Sequence, residues 1–492
     1  MTDATEALPR VIERDAARDE GTDSNSSSPA PKSPSPPSLL HARNEARRAA
    51  LLTGPVLPTL LKLALPTVVV LVAQTAVNIA EAYYVGFLGT DALAGVALVF
   101  PVFMLMTMMS NGGLGSGVSS AVARAVGAGR KEDADALLFH AIVLAIVVGA
   151  LFSLATIWGG PHLYRALGGR GEALQAALRY SNYLFAGAIP VWIVNFQAGA
   201  LRGSGNVRVP ATVTLVGALV LIPLSPILIF GLGGLPRLGI AGAGIAFAVY
   251  YCGAMLFLLR YMASGRAGLR LGIVPLQRRL FADILHVGVP TAVNSVLTNL
   301  TVILVTGAVG LFGTTALAAY GIASRLDYIL IPILFGLCTA TLTMVGIAVG
   351  AGDIARARRI AWIASAAGVT LTGTIGLIVA AYPPLWLTLF SHDVEVLHIG
   401  TTYLRIVAPT YAALGFGFVL GFAAQGAGHV LWPFVASSLR ILIAAGCGWF
   451  VVTSLGAGMT GLAGMVAASL IAYAAICSLI MLSRAVWLPA RG

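Results

Sequence analysis

From about residue 60 onward the chain alternates between apolar runs of some 20 residues or more and short connectors rich in Gly, Pro and Arg. At about 1.5 Å rise per residue, a run of that length crosses the roughly 30 Å hydrocarbon core of a bilayer as a helix. Twelve such spans are predicted, near 60–87, 92–125, 134–158, 175–201, 207–231, 239–260, 284–311, 316–349, 359–386, 397–424, 432–455 and 461–483. The second and eighth are long enough to tilt or bend.

The pattern occurs twice. The first span reads PTVVVLVAQTAVNIAEAYYVGFLG from Pro66 to Gly89, and the seventh reads PTAVNSVLTNLTVILVTGAVGLFG from Pro290 to Gly313. Pro66/Pro290, Thr67/Thr291, Gly86/Gly310, Gly89/Gly313 and Leu93/Leu317 pair at one offset, 290 − 66 = 224. VGAG at Val126–Gly129 returns at Val349–Gly352, ALRGSGNVRVP at Ala200–Pro210 returns as AAQGAGHVLWP at Ala423–Pro433, and LGIAGAG near Gly239 returns as TGLAGMV near Gly461. Six spans per copy is an even number, so both copies enter the membrane in the same sense and are related by an axis along its normal.

The expected fold is therefore an all-α integral membrane protein: twelve transmembrane helices in two six-helix bundles, related by a pseudo-two-fold axis along the membrane normal and facing one cleft. Residues 1–55 read as a disordered cytoplasmic tail, 56–260 as the first lobe, 261–283 as a cytoplasmic lobe linker, 284–484 as the second lobe and 485–492 as a cytoplasmic tail. The tail reading rests on SNSSSPAPKSPSPPS followed by basic HARNEARR, without the apolar core of a signal peptide.

Composition agrees with membrane insertion: 58% of the 492 residues are hydrophobic and 10% charged, against roughly 25% charged in soluble domains. The net charge of +11 does not imply nucleic acid, because the basic residues fall in connectors rather than along one soluble face. Arg130, Lys131, Arg202, Arg208, Arg266, Arg270, Arg278, Arg279, Arg356, Arg358 and Arg359 follow even-numbered spans, whereas the opposite connectors hold chiefly Arg165, Arg170 and Arg237. The positive-inside bias then places both termini in the cytoplasm, with the protein in the cytoplasmic (inner) membrane. Four cysteines stand singly in apolar segments, which argues against disulfides and metal binding.

Of nineteen acidic residues only Glu81 and Asp327 fall well inside predicted spans. A carboxylate there costs at least about 2.5–3.5 kcal/mol on insertion scales, so it is expected to line a wet cavity or to bind something. Glu81 lies six residues before Phe87, about 9 Å below the outer end of its helix. Gln74 and Asn78, seven and three residues earlier, share its helix face. The copy has Val305 where the first lobe has Glu81, so an acid able to take up and release a proton or sodium ion belongs to one lobe only. Asp327 reads either as a structural partner of an intramembrane arginine such as Arg405 or Arg440, or as a transport residue of the second lobe. Arg124, near a cytoplasmic end, is expected to snorkel. Asn195, Gln197 and Asn299 are candidates for substrate or interhelical hydrogen bonds, and Tyr84 and Tyr411 for an aromatic wall facing a lipophilic cation. HExxH, GxxxxGK[ST] and a Ser/His/Asp set at one depth are all missing, which disfavours an enzyme.

These residues bear a family resemblance. LALP at Leu63–Pro66, EAYYVGFLG at Glu81–Gly89, VGAG in both copies, and the RGSG and QGAG turns at Arg202 and Gln425 make residues 58–484 resemble the multidrug and toxic compound extrusion (MATE) family. The resemblance implies alternating access and export of organic cations against inward proton or sodium flow, with no cofactor beyond the transported ion. Family members commonly carry Asp where this chain has Glu81, and some carry Glu eight residues after the seventh-span proline, where this chain has Thr298. The expected working unit is a monomer in which Glu81 couples while Gln74, Asn78, Asn195 and Gln197 line the first-lobe cavity. A lipid-linked oligosaccharide flippase of the same superfamily is the alternative, with Arg325, Arg405 and Arg440 as its cationic residues; a membrane-embedded enzyme stands further off.

Overall fold

The computed structural model describes residues 39–482 and Trp487. Eleven of its helices are long and apolar enough to cross a membrane, and a bent pair makes the twelfth span. In chain order the spans are Val56–Gly86, Thr90–Gly127, Lys131–Ala166, the bent pair Gly171–Ala186 with Ala188–Gly203, Arg208–Phe230 and Ile240–Ala263 in the first lobe. Arg278–Gly310, Thr314–Gly350, Ile354–Ala381, Val394–Ala427, Leu431–Thr453 and Met459–Leu482 follow in the second. Large apolar side chains such as Leu65, Val72, Ile79, Leu151, Trp158 and Leu219 stand exposed, as a helix surface facing hydrocarbon requires.

The two bundles repeat each other's packing. The first span packs on the fifth, the second on the fourth, the third on the fourth, the fourth on the sixth and the fifth on the sixth. Adding six to each number gives contacts that the second bundle also makes. Between lobes the first span packs on the eighth and the seventh on the second, which is the same contact seen twice about a two-fold axis.

Helix breaks recur at matching places, by different means. The fourth span bends by 48° between Ala186 and Ala188, and the tenth carries a 3₁₀ turn at Ala408–Thr410, where Thr410 matches Gly187 at 410 − 187 = 223. The second span widens into a π turn at Met108–Leu114, while the eighth has Pro332 at the position of Met108, 332 − 108 = 224. The eleventh has a π turn at Leu442–Cys447, while the fifth has Pro223 at the position of Gly446, 446 − 223 = 223. A proline and a π turn both free backbone carbonyls from the helical ladder, so the ladder is weakened at matching positions in each lobe.

The repeated glycines have two distinct roles. At the basic face, where the Arg-rich connectors lie, a Cβ on Gly127 would stand 2.1 Å from the Ile347 carbonyl oxygen, and a Cβ on Gly350 would stand 2.1 Å from that of Arg124. Both contacts shift by 223 into each other, so the two VGAG motifs are where the lobes cross backbone to backbone. At the opposite ends of the first and seventh spans, Gly89 (φ 109°) and Gly313 (φ 93°) adopt backbone conformations that L side chains rarely take, and a Cβ on either would meet nothing within 4 Å. The VGAG contacts join the lobes at the basic face.

Two expectations are corrected here. Arg124 does not merely snorkel: its Nη2 pairs with Asp283 Oδ1 at 2.6 Å, and its Nη1 donates to Ser120, whose hydroxyl in turn donates to the Gln425 carbonyl of the other lobe. Nor is the whole of 1–55 a disordered tail, because Leu39–Thr53 is a helix. Its Ala-, Arg- and Leu-rich sequence favours helix, Leu51 is buried, Arg48 donates to Gly127 O at 2.7 Å in the first lobe, and Arg356 of the second lobe donates to Leu51 O and Gly54 O. Residues 1–38 of the expected N-terminal tail lie outside the described residues. So does the expected C-terminal tail, 485–492, apart from Trp487, which is buried.

Candidate functional site

Glu81 sits in the last two turns of the first span and is partly buried. Tyr180, from the stretch of the fourth span before its bend, donates its hydroxyl to Glu81 Oε1 across a long 3.3 Å. Beside the carboxyl is a small recess lined by Val77, Ala80, Tyr84, Leu221, Ile222 and Ser225. The Ser225 hydroxyl is buried and has no protein partner. It lies between Pro223 and Pro226, neither of which has a backbone N–H to give to the helix. Among the described residues no Lys or Arg forms an ion pair with Glu81. The site is thus an uncompensated acid with one weak donor and one spare hydroxyl nearby.

A second, larger pocket lies nearer the basic face, between the first, second, fourth, fifth and sixth spans. Gln74 and Asn195 both line it, together with Thr67, Asn111, Arg202 and Thr214. The π turn positions its floor: Asn195 Nδ2 donates to Ser110 Oγ at 2.7 Å, and Arg202 Nη2 donates to Asn111 Oδ1 at 2.7 Å. Gln74 and Glu81, seven residues apart, thus place the two pockets in succession along one face of the first span, about 10 Å apart.

Other candidates fall elsewhere. Tyr84 shares the Glu81 recess, whereas Asn78 lines neither pocket. Gln197 is not a cavity residue: it is fully buried with both amide atoms unpaired. Two residues beyond Asn195, its side chain leaves the helix about 200° away, on the far face. Asn299 stands between the lobes, donating to Met108 Sδ at 3.0 Å and to Ser295 O at 2.9 Å. Asp327 and Tyr411 come together in the second lobe, with Arg440 near enough to act on the carboxyl electrostatically, and Asp327 Oδ1 is buried without a hydrogen-bond partner in the protein. Tyr403 and Tyr320 close that cluster, their rings 5.4 Å apart and edge to face. Arg325 lies over the Phe390 ring at 5.1 Å, and Arg405 is exposed.

Sequence reasoning missed Tyr180, Ser225, Asn111 and the inward reach of Arg202. One signal was available: Tyr180 and Tyr403 share the offset 403 − 180 = 223, so a tyrosine recurs at this place in the fourth and tenth spans.

The MatE family model matches this chain in two blocks, residues 66–227 and 290–450, which begin at the two paired prolines. The chain belongs to the MatE family. Its members are transporters rather than enzymes, and this multi-pass membrane protein is a MATE family transporter. Among curated relatives, a FAD transporter of Shewanella oneidensis is 26% identical over 80% of this chain and 88% of its own length. A probable multidrug resistance protein, YoeA, of Bacillus subtilis is 27% identical over 72% of this chain and 78% of its own length. A solved structure described as the outward-facing conformation of a multidrug resistance MATE family transporter of the MOP superfamily superposes with a TM-score of 0.79 at 25% identity, covering 88% of this chain and 96% of that one.

Proposed function

We propose that this MATE transporter exports organic cations and related xenobiotics in exchange for an inward-moving ion, with Glu81 as the coupling acid. The observation that carries the reading is the state of that carboxyl: partly buried, next to a small recess, and among the described residues hydrogen-bonded by Tyr180 and paired with no cation. An acid in this setting changes its ion occupancy when the cleft changes sides, because nothing in the protein fixes its charge. A proton needs only the carboxylate, and proton coupling is the form we favour over sodium.

The basic face is taken as cytoplasmic, with both termini inside and the lobes joined there by the VGAG crossing and the Arg124–Asp283 pair. With that face shut, the Glu81 recess is loaded from the opposite side. Uptake of the ion neutralises the acid, weakens its hold on a cationic substrate, and favours the return of the lobes to the inward-facing arrangement. The monomer is sufficient for this cycle, since both lobes belong to one chain.

The test is ethidium efflux from vesicles under imposed proton or sodium gradients. Glu81→Gln is expected to reduce gradient-driven efflux to the background leak, and Glu81→Asp to retain part of it. Full gradient-driven efflux by the Gln variant would remove Glu81 from the mechanism.

A further inference from the structure

The pocket nearer the basic face contains a cation whose partner the protein does not supply. Arg202, in the last turn of the fourth span, is partly buried and lines that pocket. Its one side-chain hydrogen bond goes to the neutral amide of Asn111. No Asp or Glu lines the pocket, and among the described residues no carboxylate is paired with this guanidinium. The neighbouring groups on Thr67, Gln74 and Asn195 are neutral and able to donate, Asn195 with the amide hydrogen not given to Ser110, whereas Thr214 already donates to Pro210 O at 3.1 Å. A guanidinium has five N–H donors in a planar fork that fits two oxygens of a carboxylate or phosphate at once.

The second lobe lacks this arrangement. At the repeat offset Arg202 becomes Gln425, 425 − 202 = 223, and Asn111 becomes Phe335, 335 − 111 = 224. Gln74 becomes Thr298 and Asn195 becomes Phe418 at the same two offsets. A residue needed only to end the fourth span would be wanted in both copies. The cation, its positioning amide and the polar walls instead occur together in one lobe.

The geometry points to an oxyanion subsite: Arg202, held by Asn111, binds the carboxylate or phosphate of a transported compound. The first-lobe cavity then accepts compounds with an anionic end, beyond the organic cations proposed above. The inference rests on the first lobe being the substrate's path and not on Glu81 being the coupling group.

The test is equilibrium binding to the purified full-length protein in detergent, with riboflavin, flavin mononucleotide and inorganic phosphate as probes. The two flavins differ only by a terminal phosphate. Wild type is expected to bind the mononucleotide at least about tenfold more tightly than riboflavin. Asn111→Asp, nearly the same shape, sets a carboxylate against the guanidinium and is expected to bring that ratio close to one. Arg202→Gln is expected to do the same, and Arg202→Lys to leave an intermediate ratio because the charge stays and the fork is lost. Inorganic phosphate that displaces the mononucleotide at similar concentration identifies the free ion as the ligand, and much weaker displacement identifies a compound-borne phosphate. The inference is overturned if wild type binds no mononucleotide at millimolar concentration, if it binds the two flavins equally, or if its preference survives both Asn111→Asp and Arg202→Gln. Because the readout is a binding ratio, intact efflux by Glu81→Gln would sink the coupling proposal and leave this one standing.

Discussion

In the first lobe the acid is on the first span, at Glu81, with Tyr180 as its donor and no ion pair to a cation among the described residues. In the second lobe Val305 fills the matching position, and the acid stands on the eighth span at Asp327, where the first lobe has Phe103, 327 − 103 = 224. There, among the described residues, it too forms no ion pair, but Arg440 is near enough to act on it electrostatically. One backbone plan thus carries two carboxyls in different electrical settings. An acid near a fixed cation has its charge partly offset by the protein, whereas an acid without one must find its counter-charge in solvent, a transported ion or a substrate. On the coupling role proposed for Glu81, ion exchange belongs to the first lobe, and cohesion is the role we propose for Asp327 in the second.

The largest effect should separate the two acids outright. Glu81→Gln is expected to abolish gradient-driven efflux, whereas Asp327→Asn is expected to lower protein stability more than it lowers efflux per folded molecule. Equal loss of efflux from both, measured on matched amounts of folded protein, would end the division of labour.

The next test concerns what the lobes have in common. Gly127→Ala and Gly350→Ala each push a methyl into a backbone carbonyl of the other lobe, and rigid neighbours of that kind make overpacking cost about 3 kcal/mol. The two are expected to lower the melting temperature in detergent by similar amounts, because the contacts are reciprocal about the pseudo-two-fold. A large inequality would show that the axis does not hold at the crossing.

A smaller effect is expected at Arg440. Arg440→Met leaves Asp327 without its nearby cation, at a cost of about 1–2 kcal/mol for a partly buried polar group left unsatisfied. The double variant Asp327→Asn with Arg440→Met should recover most of that loss, and denaturation of the two purified variants would measure it. Smallest of all, Tyr180→Phe removes a single long hydrogen bond from Glu81, which is worth about 0.5–1.5 kcal/mol or less. It is expected to shift the pH at which efflux is half-maximal while leaving the maximal rate nearly intact. An unchanged pH profile would remove Tyr180 from the ion site.

What the amino-acid order determined by itself was the scaffold and the two intramembrane acids. Span length follows from bilayer thickness, and duplication shows as a fixed offset, so twelve helices in two bundles were readable from Pro66/Pro290 and VGAG alone. Glu81 stood out because a carboxyl in an apolar run is costly wherever it points. Its surroundings were not readable. Tyr180 is 99 residues away and Ser225 lies between two prolines, so only the packing of the first, fourth and fifth spans brings them to the carboxyl. Asn195 and Gln197 looked alike in sequence, and helix rotation alone put one at a pocket and the other in the packed interior. Arg202 read as one more connector arginine until the π turn at Met108–Leu114 was seen to place Asn111 against it. Cost of burial is a local property and is carried by a residue's type, whereas partnership depends on where distant helices cross, and that is decided only when the bundle is assembled.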